Sequence, residues 1–185
     1  MTTIVAIAGS TRAKSFNRML LHAAVELAPA GLVLEPASIQ DIPLYDGDVE
    51  AQGVPAAVAA LKDRIAAADG LLLVTPEYNS SLPGVFKNAI DWTSRPASDI
   101  PRIYGGKPVG VIGATPGAGG TNLAQAAWLP VLRTLGTAPF FGARLQVSQA
   151  AKVIDEHGKL ADPAVRGQVE KYMAAFGQFV ARHAR

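Results

Sequence analysis

The chain has 185 residues, with 17 Lys and Arg against 15 Asp and Glu, a formal net charge of +2, and no cysteine. That length suits one domain over residues 1–185, and the missing cysteine excludes a disulfide scaffold, a thiolate metal site, an iron–sulfur cluster and a cysteine nucleophile. With 17% charged residues there is no general field to attract nucleic acid. No apolar run approaches the roughly 20 residues of a membrane-spanning helix. The opening residues lack the basic leader of a signal peptide, so a cytoplasmic location is expected, with no membrane insertion.

Taken in chain order, Ile4–Ala8 is a short aliphatic run and reads as a buried strand. Asn17–Ala28 follows with Met19, Leu20, Ala23, Ala24 and Leu27 on one helical face, and Leu32–Pro36 is a weaker strand. Ser38–Val54 reads as a long polar connection. Pro55–Ala68 has proline at a first helical turn and an apolar stripe of Val58, Leu61, Ile65 and Ala68. Leu71–Thr75 is a second aliphatic strand, Gly84–Trp92 a short helix, Arg95–Lys107 another connection, and Val109–Ala114 a third buried strand. Thr121–Leu135 reads as a helix that Pro130 should kink or break. Phe140–Val147 is a weak fifth strand with glycine near it. Asp162 and Pro163 open a closing helix whose stripe runs from Val165 through Tyr172 and Phe176 to Val180.

Strands alternating with helices predict a parallel sheet with helices on both faces. Five strands suit a flavodoxin-like three-layer sandwich of strand order 2-1-3-4-5 better than a six-stranded dinucleotide fold. Ligands of such sheets bind beyond the C-terminal ends of the strands. The loop Gly9–Phe16 therefore matters. It offers the hydroxyls of Ser10, Thr11 and Ser15, the guanidinium of Arg12, the amide of Asn17 and the free N–H groups of a helix start, a set suited to a phosphate. Ser15 or Asn17 could instead serve only as a helix cap, with Arg12 solvated. A Walker A loop and the G-x-G-x-x-G fingerprint are both excluded, because Lys14-Ser15 comes too early and Thr11 replaces the second glycine. The loop Thr75–Gly84 could hold the edge of a planar heterocycle through Tyr78 and Asn79, or form an ordinary stiff turn with Glu77 in water. The glycines of Thr115–Gly120 would admit a ligand or a flexible turn.

Two motifs, Gly9-Ser10-x-Arg12-x-x-Ser15-x-Asn17 and Pro76-Glu77-Tyr78-Asn79-x-Ser81-x-Pro83-Gly84-x-x-Lys87-Asn88-x-x-Asp91-Trp92, resemble the NAD(P)H-dependent FMN reductase family, in its bacterial chromate and quinone reductase branch. Asp41–Tyr45 and Gly106–Val109 resemble that branch too. The resemblance implies bound FMN, NADPH or NADH as reductant, and hydride transfer in a ping-pong scheme to a small-molecule electron acceptor: a quinone, a flavin or chromate. It further implies that Ser10, Arg12, Ser15, Phe16 and Asn17 hold the phosphate and ribityl end of FMN. Pro76, Glu77, Tyr78 and Asn79 would border its ring, and Thr115 would approach from the third loop. No side chain is expected as an obligatory acid or base. The family forms homodimers and homotetramers, so Trp92 reads as core or as a subunit contact. The competing reading, a flavodoxin-type electron carrier, fits poorly with a calculated isoelectric point near 9.0, since such carriers are strongly acidic.

His22, His157 and His183 show no metal-ligand spacing. Asp41, Asp46 and Asp48 read as solvated, and Arg182-His183-Ala184-Arg185 as an exposed helix end.

Overall fold

The structure, a computed structural model, describes residues 1–183. Its sheet begins with β1 (Thr2–Ala8), whose side chains alternate between two cores. Ile4 and Ala6 enter one core, and Val5 and Ile7 the other. This is the period-2 consequence of a strand covered on both faces. β2 (Leu32–Ala37) and β3 (Gly70–Val74) flank β1, and β4 (Pro108–Ala114) lies beyond β3, all parallel. The expected order holds: β2-β1-β3-β4, then β5 (Ala138–Pro139).

One layer is formed by α1 (Phe16–Glu26) and α8 (Pro163–His183), which pack Leu20, Leu21, Val169, Met173 and Phe176 on the sheet. The opposite layer is α3 (Ala56–Ala67), α4 (Gly84–Thr93) and α6 (Asn122–Thr134), which contribute Leu61, Ile65, Phe86, Ile90, Trp128 and Leu132. Both connections read as irregular contain short helices. These are α2 (Gly47–Gln52), a 3-10 turn at Ala97–Asp99, and α5 (Ile100–Ile103). Asp46 belongs to this group: its carboxylate caps α2 by accepting from the Asp48 N–H at 2.8 Å.

Two expectations need correcting, and one open alternative is settled. The fifth strand is not Phe140–Val147. Its pairing is split between β5 and β6 (Gln146–Val147), which pair with opposite ends of β4. Residues 140–145 arch away between them, because buried Phe140 turns into an aromatic cluster with Tyr172, Phe176 and Phe179. Pro130 does not break α6, which runs through it from Asn122 to Thr134. The carbonyl it frees belongs to Ala126, which like Pro130 faces solvent, so water can satisfy it. Trp92 is core: it is fully buried within the chain, and its indole N–H donates to the Pro43 carbonyl at 2.9 Å.

α7 (Ala150–Val153) follows β6 and precedes the loop into α8. Arg182 and His183 are exposed at the end of α8, while Ala184 and Arg185 lie outside the described residues. Among the described residues no helix is long and apolar enough to cross a membrane.

Candidate functional site

Three loops leave the C-terminal ends of the adjacent strands β1, β3 and β4, and the structure ties them to one another. The first, Gly9–Ser15, begins where the Gly9 N–H donates to the Val74 carbonyl at 2.9 Å. A Cβ at Gly9 would sit 2.1 Å from the Phe86 ring, so close packing on α4 requires glycine here. Ser10 and Ser15 are buried, whereas Thr11, Arg12, Ala13 and Lys14 are exposed. Ser15 caps α1 by accepting from the N–H groups of Asn17 and Arg18 at 3.2 and 3.4 Å. Ser10 accepts from the Arg12 N–H at 3.4 Å. Among the described residues, the backbone N–H groups of Thr11, Ala13, Lys14, Ser15 and Phe16 donate to no protein acceptor. A row of free donors at a helix start is an anion cradle. Arg12 adds a guanidinium with no carboxylate partner among the described residues.

Two residues of this loop have structural duties that the sequence did not disclose. The Asn17 side chain donates to the Ala114 carbonyl at 2.8 Å and accepts from the Ala114 N–H at 2.9 Å. β3 stops pairing with β4 at Val74 and Ile112, apart from one further bond from the Thr75 N–H to the Ile112 carbonyl. The Asn17 amide then takes the place of a strand beside Ala114. It pins α1 to β4 through Oδ1 and one of its two Nδ2–H groups. The half-buried Phe16 packs its ring on the core beneath α1, leaving its N–H as its contribution to the cradle.

The second loop turns sharply at Tyr78–Ser81. Tyr78 and Ser81 exchange two backbone hydrogen bonds of 3.0 Å, and the central residues Asn79 and Ser80 have φ of 49° and 61°. Pro76 is buried, and Tyr78 and Asn79 are exposed. Glu77 is not simply free in water. One carboxylate oxygen accepts from the Leu123 and Ala124 N–H groups at 2.8 and 3.0 Å. Thr121, at the N-terminus of α6, makes no side-chain cap. Glu77 supplies that cap from another loop, where a negative charge is also favoured by the helix dipole.

The third loop is held at its start. Thr115 donates its N–H to Val147 and receives the Ala150 N–H at its carbonyl, both at 3.0 Å, and its hydroxyl accepts from Gly117 at 3.4 Å. Gly117 and Gly119 are exposed. Beneath all three loops, buried Thr75 accepts from the Trp128 indole at 3.1 Å, and Trp128 meets Phe86 edge-on with centroids 4.9 Å apart. Gly113 fits under this layer because a Cβ there would lie 2.2 Å from both the Thr75 carbonyl and the Thr121 hydroxyl. Sequence reasoning missed Thr75, Gly113 and Trp128. Their only signal was a buried polar residue closing an aliphatic strand.

An anion cradle beside two fixed loops at the C-terminal edge of a 2-1-3-4-5 sheet matches a known group. Residues 2–152 match the NADPH-dependent FMN reductase family. The chain belongs to that family. As an FMN reductase family member, it is 40% identical over 179 residues to an NAD(P)H-dependent FMN reductase of Pseudomonas aeruginosa, covering 97% of this chain and 95% of the relative. It is 37% identical over 177 residues to a 2-hydroxy-1,4-benzoquinone reductase of a Burkholderia species, covering 96% and 95%. Among solved structures, the flavoenzyme NAD(P)H:acceptor oxidoreductase FerB of Paracoccus denitrificans superposes with a TM-score of 0.90 at 34% identity, over the whole of both chains. The family assignment and the flavodoxin-like sandwich agree with each other, and the cradle fits the phosphate of a mononucleotide.

Proposed function

We propose that this protein is a one-domain NAD(P)H-dependent FMN reductase that passes reducing equivalents to quinones or similar small acceptors. The observation that carries the reading is the cradle of free N–H groups around buried Ser10 and Ser15, set beside a rigid turn. When bound, FMN supplies the two-electron hydride chemistry between NAD(P)H and the acceptor.

The chain's own residues bind and orient. The N–H groups of Thr11 and Ala13–Phe16, with Arg12 and the Ser10 hydroxyl, hold the phosphate. Pro76, the Glu77 backbone, Tyr78 and Asn79 border the ring, and Thr115 closes the third side. The Glu77 carboxylate and the Asn17 amide act at one remove by fixing these loops. No side chain in the three loops is placed as a general acid or base, which suits an open site tolerant of its acceptor, chromate included. The absence of cysteine and the near-neutral charge are consistent with a cytoplasmic enzyme. We further infer a homodimer or homotetramer, since Leu44 and Phe141 are 83% and 73% exposed and association would remove such side chains from water.

The test is direct. Purified protein titrated with FMN should bind it, and the loaded protein should oxidise NADPH or NADH with excess benzoquinone. Arg12→Ala should weaken FMN binding by about tenfold, the size of one charge-assisted contact, with an unchanged melting temperature. Failure to bind FMN, or binding without nicotinamide oxidation, would reject the reading; the latter would leave an electron carrier.

A further inference from the structure

Thr75 follows β3 and is fully buried, yet its hydroxyl stands between two partners. The indole N–H of Trp128 on α6 donates to it at 3.1 Å, and it donates to the Pro76 carbonyl at 2.9 Å. The order of the protons is forced. An indole N–H only donates, so the hydroxyl accepts there, and its one hydrogen is left for the carbonyl. Among the described residues nothing else donates to the Pro76 carbonyl.

α6 reaches this loop a second time. Ala124 and Trp128 are one turn apart and both fully buried, so they face the same way. The Ala124 N–H holds the Glu77 carboxylate at 3.0 Å, while the Trp128 indole acts on the Pro76 carbonyl through Thr75. The peptide unit joining Pro76 to Glu77 is therefore gripped from both of its residues. Proline fixes its own φ, so this peptide can turn only about the ψ of Pro76 and the φ of Glu77. The Thr75 hydroxyl opposes that rotation. The peptide is trans, with its C=O and N–H on opposite edges of one plane. Because the carbonyl turns toward the buried Thr75–Trp128 pair, the Glu77 N–H turns away from it. Among the described residues that N–H donates to no protein acceptor.

We propose that Thr75 is a positioning residue for the flavin ring: its hydroxyl, oriented by Trp128, fixes the Pro76–Glu77 peptide so that the Glu77 N–H is presented to the ring as a hydrogen-bond donor. The inference rests on the reductase reading above, and its test does not need turnover. FMN is titrated by fluorescence into Thr75→Val, which removes the hydroxyl at nearly unchanged shape, and into Thr75→Ser, which keeps it. The valine variant should bind FMN about tenfold more weakly, the size of one lost hydrogen bond, and should move the visible absorption maxima of the bound flavin. The serine variant should keep the parent's affinity and spectrum. Thr75→Val also strands the buried indole N–H. The same substitution is therefore repeated on a Trp128→Phe background, where no such donor remains, and the loss relative to Trp128→Phe alone should again be about tenfold; this pair decides the matter if Thr75→Val by itself does not fold. A valine variant with the parent's affinity and spectrum overturns the proposal. So does a serine variant that loses as much as valine, which would make Thr75 a packing residue. A parent that binds no FMN rejects the reductase reading and this role with it, whereas a parent that binds FMN and oxidises NAD(P)H while Thr75→Val matches it rejects the role of Thr75 alone.

Discussion

Asn17 shows how one side chain can hold a site together through the backbone of another element. Its amide gives Ala114 both a donor and an acceptor where β3 has turned away. Asn17→Ala leaves a buried backbone N–H and C=O unpaired, and should lower stability by about 2 kcal/mol, read from the urea midpoint at constant slope. A change below about 0.5 kcal/mol, the usual range for a surface position, would show that the pairing contributes little. Glu77 acts similarly on α6. Removing a cap lowers stability by about 1 kcal/mol, so Glu77→Ala should do that and also weaken FMN binding several-fold by releasing the ring-bordering loop. Fluorescence titration reads the second effect; unchanged affinity together with lost stability would make Glu77 a helix cap only. The residues of the first two loops stood out in the sequence because they concentrate hydrogen-bonding groups after a buried strand. Which of them face a ligand and which face the protein did not, because Asn17 and Glu77 find their partners 97 and 46 to 47 positions away.

At the scale of elements, the buried strands were legible because a sheet covered on both faces demands continuous aliphatic runs. The split fifth strand was not, since its two-residue pieces carry no period and its path depends on where Phe140 finds the α8 aromatics. The ring-bordering turn has its own energetics. Two non-glycine residues with positive φ are needed at its centre, and Asn-Gly is the favoured pair for such a hairpin. Ser80→Gly should therefore remove part of the left-handed penalty of about 1 kcal/mol and raise the melting temperature by about 2 °C for a chain of this size. A lowered melting temperature would mean that the serine side chain, exposed as it is, stabilises the turn more than its backbone strain opposes it.

Across the whole molecule, three carboxylates join segments distant in the chain, and all three are held below their ordinary range. Glu26 on α1 is lowered by hydrogen bonding and charge from Arg166 on α8, at 2.8 Å. Glu50 on α2 is lowered first by the Tyr45 hydroxyl and then by Arg95. Asp99 is lowered by the ammonium of buried Lys62 on α3, at 2.7 Å. A depressed carboxylate contributes stability above its unfolded value, here 4.5 for the glutamates and 3.8 for the aspartate, and that contribution disappears as pH falls through the folded value. The Tyr45 hydroxyl is shifted the other way by Glu50, upward from 10.0, so its contribution holds below that value and is lost as pH rises through the raised one. The melting temperature should thus be level between about pH 5 and 10 as far as these groups decide it, and fall on the acid side. Glu26→Gln, Glu50→Gln and Asp99→Asn combined should lower the plateau slightly, because these pairs are near the surface and screened, and should flatten the acid limb. Thermal melts of parent and triple variant from pH 3 to 7 compare the two limbs. An acid limb equally steep in both would place the acid sensitivity in other carboxylates and leave these three contacts without influence on it.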